Sequence, residues 1–271
     1  MMPRICAVAA LLIAVSIPAG RAQTPVPEGP IGPSPYNVVR AWHQPFAAPG
    51  FAFGGNSGVF AESPDRILIA QRGEFRLPDP LPAEYAGFAG SLKMNVLTLA
   101  DRRVWQNCLY TLDRNGRVKE RWTQWDHLCE GSPGPGPHRI RISPYDRDKR
   151  VWVINETFNT IYVFSSDGKK LLKTLGEKNV AGSDRAHFAK PQDVAFLLIA
   201  DGLDNHRVMI LDKDLNYLGE FGGNGKGPGQ FSGVHAIAVG PGGRIFALDR
   251  SGGRINVFRT TKDPAARARY R

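Results

Sequence analysis

PQDVAFLLIADGLDNHRVMIL is the sequence of residues 191–211, and its pattern returns at residues 234–258 as VHAIAVGPGGRIFALDRSGGRINVF. A fainter copy, HRIRISPYDRDKRVWVINETFNTIYVF, occupies residues 138–164. One polar position recurs in the three copies, first 46 and then 48 residues apart: Asn155, Asp201 and Asp249. Internal repetition is therefore the main organising feature of this sequence.

Each copy consists of short runs in which Val, Ile, Phe and Tyr alternate with other residues. This alternation predicts β-strands with an apolar side, and the Asp-Gly, Gly-Gly and Asn-Gly pairs between the runs favour tight hairpins. A four-stranded sheet of this kind buries its apolar sides only when neighbouring copies stack around an axis, and the period is typical of propeller blades. We therefore predict an all-β propeller with about four recognisable four-stranded blades.

An insert interrupts the first predicted blade at residues 75–104, which include three prolines and show no regular pattern. The strands of this blade are expected at the following residues: 57–61, 66–73, 108–113 and 118–122. Insertions between strands usually lie at a rim of the fold, where ligands bind. Residues 36–42 form an isolated apolar segment, which would either complete a blade from the N-terminal side or pack on the surface.

The third predicted blade is shortened. Only nine positions separate Gln192 from Asp201, whereas the corresponding segments of the second and fourth blades span 17 and 14 positions. Residues 193–200 contain no Gly, Pro or Asn on which a hairpin would turn. We expect one continuous strand there, or a blade with a damaged inner pair of strands.

Four blades would form either an unusually small closed propeller or an open one. An open ring of blades would expose strand edges and favour self-association.

The N-terminus has the features of a secretory signal peptide at residues 1–22, in which Arg4 precedes an apolar run at residues 5–17. We expect cleavage near Ala22 and a secreted or periplasmic protein, the alternative being an uncleaved N-terminal anchor. The predicted organisation of the remaining chain is a Pro/Gly-rich linker, a propeller and a basic tail, at residues 23–35, 36–260 and 261–271.

The chain has 271 residues, 42% of them hydrophobic, which is enough to bury a sizeable core. Its formal net charge is +10, and loss of Arg4 and Arg21 with the signal peptide leaves +8. The remaining Lys and Arg are scattered rather than clustered, and an exported protein does not meet nucleic acid as its usual partner. We therefore expect no nucleic-acid partner and no membrane span after processing.

Two cysteines, Cys108 and Cys129, remain after Cys6 leaves with the signal peptide. An oxidising compartment permits a disulfide bond between them. The hairpin predicted at residues 115–116 would leave Cys129 several residues beyond the partner of Cys108, so a bridge requires the chain after Trp125 to fold back. The alternative is a pair of inert buried thiols.

The sequence FGGNGKGPGQF at residues 221–231, followed by Ile-Ala-Val at 237–239 and RINVF at 254–258, resembles the NHL repeat. Over about residues 38–258 the chain looks like the lyase domain of the peptidylglycine α-amidating enzymes. This resemblance implies an NHL-type propeller, six-bladed in that family. It also implies cleavage of a peptidyl-α-hydroxyglycine into a peptide amide and glyoxylate, with a peptide or another small extracytoplasmic ligand as the partner.

The resemblance also implies site residues. Gln-Arg-Gly-Glu at residues 71–74 is similar to the arginine motif of the family's first blade, so Arg72 is the implied catalytic residue that pairs with a substrate carboxylate. Gly-Pro-His138 and Gly-Val-His235 stand where the family places zinc-binding histidines. Zinc is the implied metal, and calcium is implied by the resemblance alone. Without the resemblance, a histidine at a strand start is also typical of a hydrogen-bonded packing residue, and Arg72 of a residue that binds backbone carbonyls.

Three features depart from the family pattern. Leu203 stands at the position of the catalytic tyrosine, and a leucine cannot accept or donate a proton. The family's third zinc histidine belongs to a later blade that has no counterpart here, and Gln192 is a poor zinc ligand. We therefore keep two hypotheses: a metal-dependent lyase-like enzyme, and a non-catalytic propeller outside the cytoplasm that binds a peptide, glycan or protein. Asp201 and Asp249 are expected to support turns.

Overall fold

The structure, a computed structural model, describes residues 39, 42–44, 46–85, 89–93, 102–144, 146–195 and 197–259. The predicted signal peptide, linker and basic tail, and most of the segment at residues 36–42, lie outside the described residues. The described strands are β1 (Phe51–Phe53), β2 (Asn56–Ser63), β3 (Arg66–Gln71), β4 (Glu74–Arg76), β5 (Arg103–Val104), β6 (Leu109–Leu112), β7 (Val118–Arg121), β8 (Pro137–Ile142), β9 (Val151–Asn155), β10 (Thr160–Phe164), β11 (Leu171–Leu175), β12 (Pro191–Ala195), β13 (Leu198–Asp201), β14 (Arg207–Leu211), β15 (Tyr217–Gly222), β16 (Val234–Val239), β17 (Ile245–Asp249) and β18 (Arg254–Phe258).

Four antiparallel sheets follow one another along the chain and confirm the predicted blades. Blade 1 has the strand order β2-β3-β6-β7, blade 2 is β8-β9-β10-β11 and blade 3 is β12-β13-β14-β15. Blade 4 consists, within the described residues, of β16-β17-β18. Short 3-10 helices span Ala89–Leu92, Thr123–Leu128 and Pro241–Gly243. All helices of the described ranges are too short to traverse a lipid bilayer.

The insert of blade 1 is more regular than the sequence indicated. Its two ends form β4 and β5, which join β1 in a separate three-stranded sheet. Phe51 pairs with Arg76, and Glu74 pairs with Val104. This small sheet therefore ties the insert to the segment that precedes blade 1.

The prediction of one continuous strand through residues 193–200 was wrong. The chain forms the hairpin of β12 and β13, with Ala195 opposite Leu198 across a two-residue connection. The Leu197 N–H donates to the carbonyl of Ala195 at 3.1 Å, and the Leu211 N–H donates to the carbonyl of Leu197 at 2.9 Å. Pairing with β14 thus holds a turn that contains no Gly, Pro or Asn, and blade 3 keeps four strands.

Successive residues of a central strand pack against different neighbouring blades. In β9, Val153 belongs to the core between blades 1 and 2, whereas Ile154 belongs to the core between blades 2 and 3. Ala200 of β13 packs with Val234 and Ala247 between blades 3 and 4. Strands covered on both sides are consequently apolar throughout, which explains why the Val-Trp-Val-Ile run of β9 is fully buried.

The recurring polar position holds the loop that leads into each blade or hairpin. An Asp201 side-chain oxygen accepts the N–H of Ala189 at 2.9 Å, and Asp249 accepts the N–H of Gly233 at 2.9 Å. Asn155 accepts the N–H of Phe158 at 3.2 Å. The expected turn-supporting role of Asp201 and Asp249 is confirmed.

The two ends of the blade series differ in their outer faces. Trp42 and Phe46 pack on the outer face of blade 1. On blade 4, Leu248, Ile255 and Val257 are 36%, 61% and 53% exposed. The self-association expected from open blades concerns this surface and remains a prediction.

Candidate functional site

The second residue of each innermost strand faces a common region. These residues are Ser57, His138, Gln192 and His235, from β2, β8, β12 and β16. At each of them the pairing register shifts: in β8, for example, Pro137 pairs with Asn155 and Arg139 pairs with Ile154, so that His138 is left out of the ladder. A β-bulge of this kind re-aims the extra side chain and is frequent next to active sites. The repeated bulge therefore sets one candidate position per blade.

His138 and His235 come together, although 97 positions separate them in the sequence. Their ring centroids lie 5.3 Å apart, and the rings meet edge to face at 88°. Ser57 is engaged with the backbone instead, because its hydroxyl donates to the carbonyl of Pro137 at 2.6 Å. The structure thus brings together the two histidines to which the resemblance assigns a zinc-binding role.

A single hydrogen bond determines which nitrogen of His138 is free. Nδ1 lies 3.0 Å from the backbone carbonyl oxygen of Gln192. A carbonyl oxygen only accepts, so Nδ1 carries the proton and the neutral ring presents the lone pair of Nε2. This arrangement, in which one ring N–H is bound to a carbonyl, is the usual orientation of a metal-ligating histidine.

Glu156, which the sequence analysis missed, lies at the centre of the site. One carboxylate oxygen lies 3.9 Å from Nη2 of Arg72, and the other lies 4.0 Å from Nε2 of His138 and accepts a hydrogen bond from Nε2 of Gln192 at 2.9 Å. Glu156 directly follows the last residue of β9, which pairs with the first residue of β8. The sequence does contain a signal for this role. Glu156 is an acidic residue at the end of β9, and this end lies beside the start of β8, the strand that contains His138.

Burial and neighbouring cations keep both histidines neutral. Burial is the main cause of the lowered pKa of His138, with Arg139 and Arg72 acting in the same direction and Glu156 opposing them. Burial also lowers the pKa of His235, followed by the effects of His138 and Arg139. Since the ordinary value is about 6.5, both imidazoles are free bases at neutral pH and have lone pairs for a metal or a hydrogen-bond donor.

Arg72 is a partly buried cation beside this group. Burial lowers the pKa of its guanidinium, and the charge of Glu156 opposes the shift. The side chains of Arg72 and Glu156 are each 14% exposed. Their distance of 3.9 Å is longer than a hydrogen bond, so the guanidinium retains capacity to bind another carboxylate.

Leu203 adjoins the site as an apolar group. A Cβ added to Gly233 would lie 3.4 Å from a methyl carbon of Leu203, which places this side chain against the residue two positions before His235. The position to which the resemblance assigns a catalytic tyrosine thus borders the site without a proton-transferring group. Cys108 and Cys129 are both free and buried.

The donor chemistry of the site fits zinc. No three His, Cys, Asp or Glu side chains of the described residues already surround a common metal position. However, the Nε2 lone pair of His138 and the Glu156 carboxylate are two acceptors 4.0 Å apart, and the buried Oε1 of Gln192 has no hydrogen-bond partner among the described residues. A cation between His138 and Glu156 would satisfy these two acceptors, and imidazole and carboxylate are ordinary zinc ligands. Calcium, which takes six to eight oxygen ligands, suits this mixed nitrogen and oxygen donor set less well.

Curated relatives that match nearly half of the chain include the following three. Peptidyl-glycine alpha-amidating monooxygenase A of Xenopus laevis is 32% identical over 133 residues, which cover 45% of this chain and 14% of that protein. Probable peptidyl-alpha-hydroxyglycine alpha-amidating lyase pgal-1 of Caenorhabditis elegans is 28% identical, covering 45% and 36%. NHL repeat-containing protein 3 of Homo sapiens is 28% identical, covering 45% and 39%. The chain spans less than two fifths of the length of each.

No protein-family model matches the sequence. The solved structure of streptogramin B lyase is 13% identical and has a TM-score of 0.44, over 79% of this chain and 57% of that one. The sequence relatives agree with the resemblance carried by the NHL-like segments. The chain is therefore a β-propeller related, over about 45% of its length, to peptidylglycine-amidating proteins and to an NHL repeat-containing protein.

Proposed function

We propose that this protein is a zinc-binding, lyase-like propeller whose site accepts the carboxylate end of a peptidyl-α-hydroxyglycine. The carrying observation is the repeated β-bulge that directs His138 and His235 to one place. His138 and His235 would hold the zinc ion. Glu156, whose carboxylate oxygen lies 4.0 Å from Nε2 of His138, would supply the third protein ligand after a small side-chain movement.

The chain's own residues would bind and orient the substrate. Arg72 has a planar guanidinium suited to the terminal carboxylate, which would take over part of the charge balance now provided by Glu156. The bound zinc would supply Lewis-acid polarisation of the substrate hydroxyl. In the overall reaction the Cα–N bond breaks, the hydroxyl loses its proton as glyoxylate forms, and the amide nitrogen gains a proton.

Leu203 favours a second candidate function. A leucine at this position removes the group that would move the proton, so the same site would bind a carboxylate-bearing peptide without cleaving it. The expected ligand is in either case a peptide or another small molecule outside the cytoplasm rather than nucleic acid. This setting rests on the predicted signal peptide, and a mature N-terminus at Gln23 would support it.

The test is release of peptide amide from a synthetic peptidyl-α-hydroxyglycine by the zinc-loaded protein, followed by mass spectrometry. We expect slow turnover by the natural chain. Leu203→Tyr should increase the rate on the order of 10²-fold or more, because a positioned acid–base group contributes about 10²–10⁴-fold. Leu203→Phe introduces a ring of the same size as that of tyrosine but without the hydroxyl, and it should not increase the rate.

Two results would separate the candidates. Amide formation that rises in Leu203→Tyr but not in Leu203→Phe supports the lyase-like function. Zinc-loaded protein that binds the peptide but releases no amide in any variant leaves the binding propeller as the function.

A further inference from the structure

Cys108 and Cys129 are held side by side by one residue, Asp126. The N–H of Cys108 donates to the Asp126 side chain at 2.9 Å, and the N–H of Cys129 donates to the Asp126 backbone carbonyl at 2.9 Å. The 3-10 helix Thr123–Leu128 folds the chain back after β7 and makes this arrangement possible. The return of the chain after Trp125, which a bridge requires, is therefore present.

The two side chains are buried in contact. Cys108 is 0% and Cys129 is 6% exposed. A hydrogen bond that the Cys108 thiol donates to Cys129 is the main cause of the raised pKa of Cys108, followed by burial and the charge of Asp126. Thiols in this environment are poor nucleophiles in the folded protein, so they do not resemble a reactive or catalytic pair.

The segment that contains Cys108 also bonds to the residues that flank Arg72. The carbonyl of Cys108 accepts the N–H of Gln71 at 2.8 Å, and the Gln71 side chain donates to the carbonyl of Asn107 at 3.3 Å. Asn107 and Gln106 donate in turn to the carboxylate of Glu74. The backbone on both sides of Arg72 is thus anchored to the segment that contains Cys108.

We propose that Cys108 and Cys129 form a disulfide bond in the exported protein and that this bond fixes the support of the Arg72 segment. The oxidant would be a protein or low-molecular-weight disulfide. Two thiol–disulfide exchange steps then convert the two cysteine thiols and one external disulfide into the Cys108–Cys129 disulfide and two external thiols. The proposal stands independently of zinc binding and of lyase activity.

Burial predicts when the bond forms. Exchange needs a thiolate and access to the attacked sulfur, and both are poor once blade 1 has closed over the cysteines. The bond would therefore form during folding and resist reductant afterwards. Folded protein made in a reducing compartment would keep both thiols and oxidise slowly.

The decisive experiment uses the full chain exported to an oxidising compartment. The protein is denatured without reductant in the presence of an alkylating reagent, and its intact mass and peptide map are measured. We expect no alkylation at Cys108 or Cys129 and one cross-linked peptide pair that separates on reduction. A Cys129→Ala variant should instead show alkylation of Cys108, which controls for reagent access.

A stability measurement provides the second readout. Reductant present during thermal unfolding should lower the Tm of the exported protein on the order of 5–10 °C, since a disulfide that closes a loop of this length restricts the unfolded chain. The double variant Cys108→Ala/Cys129→Ala should show no response to reductant. Alkylation of both cysteines in the exported wild-type protein would overturn the proposal.

Discussion

Replacement of Arg207 by Met is expected to destabilise the protein by about 3–5 kcal/mol, because it leaves the buried carboxylate of Asp201 without its cation. Nε of Arg207 donates to Asp201 at 2.9 Å, and its other nitrogens donate to Glu220 at 2.7 Å and to the carbonyls of Asp184 and His187, each at 2.9 Å. The Asp201 side chain is 0% exposed. Urea unfolding monitored by circular dichroism measures the loss.

The control is Arg147→Met, which changes an exposed arginine and should alter stability by no more than about 0.5 kcal/mol. A combined Arg207→Met/Asp201→Asn variant removes the stranded charge and should be less destabilised than Arg207→Met alone. A loss below about 1 kcal/mol in Arg207→Met would contradict the expectation that Arg207 compensates the buried charge of Asp201.

The second large effect is expected from Glu156→Gln. The amide retains the size of the side chain but removes the anionic ligand proposed for zinc, so zinc affinity should fall by about 100-fold or more. The variant also removes the charge that faces Arg72 at 3.9 Å. Competition with a chromophoric chelator measures the affinity independently of any enzymatic activity.

Glu177→Gln is the matched control, because Glu177 has a side chain 70% exposed and lies near His187 rather than His138. It should leave zinc affinity unchanged. Unchanged affinity in Glu156→Gln would remove Glu156 from the ligand set while leaving the two histidines in place. If Glu156 is not a ligand, the Glu156→Gln variant still binds zinc, whereas if the site binds no zinc, the wild-type protein also lacks it.

The repeat made much of the fold predictable. Alternating apolar residues located the strands of blades 1, 2 and 4, and the recurrence of Asn155, Asp201 and Asp249 identified equivalent positions in blades 2, 3 and 4. Equivalent positions in successive blades lie at equivalent places around the axis. His138 and His235 occupy such equivalent positions, and their ring centroids lie 5.3 Å apart in the structure.

Other features depend on tertiary contacts that no local pattern records. The hairpin between Ala195 and Leu198 is held by β14, whose residues are distant in sequence from the turn. Glu156 reaches the site because the end of β9 pairs with the start of β8. The bulges at the inner strands are also set by pairing between strands, and they decide which side chains leave the ladder.

Leu203 and the two histidines have different consequences for metal binding and for proton transfer. Nδ1 of His138 is bound to a backbone carbonyl, which leaves Nε2 for the proposed metal, whereas Leu203 brings no proton-transferring group to the site. A site of this composition would retain zinc and ligand binding more readily than rapid cleavage. Both candidate functions, as proposed, use a zinc-loaded site, whereas a purely structural role for His138 and His235 does not. A measurement of zinc binding therefore separates the two candidate functions from the structural role.

The most direct measurement is the zinc content of the purified mature protein by elemental analysis, with His138→Ala and His235→Ala prepared in parallel. We expect about one zinc ion per wild-type chain, and loss of most of it in each variant, because removal of one imidazole leaves too few ligands for tight binding. Wild-type protein that remains free of metal after incubation with zinc and gel filtration would contradict the central claim.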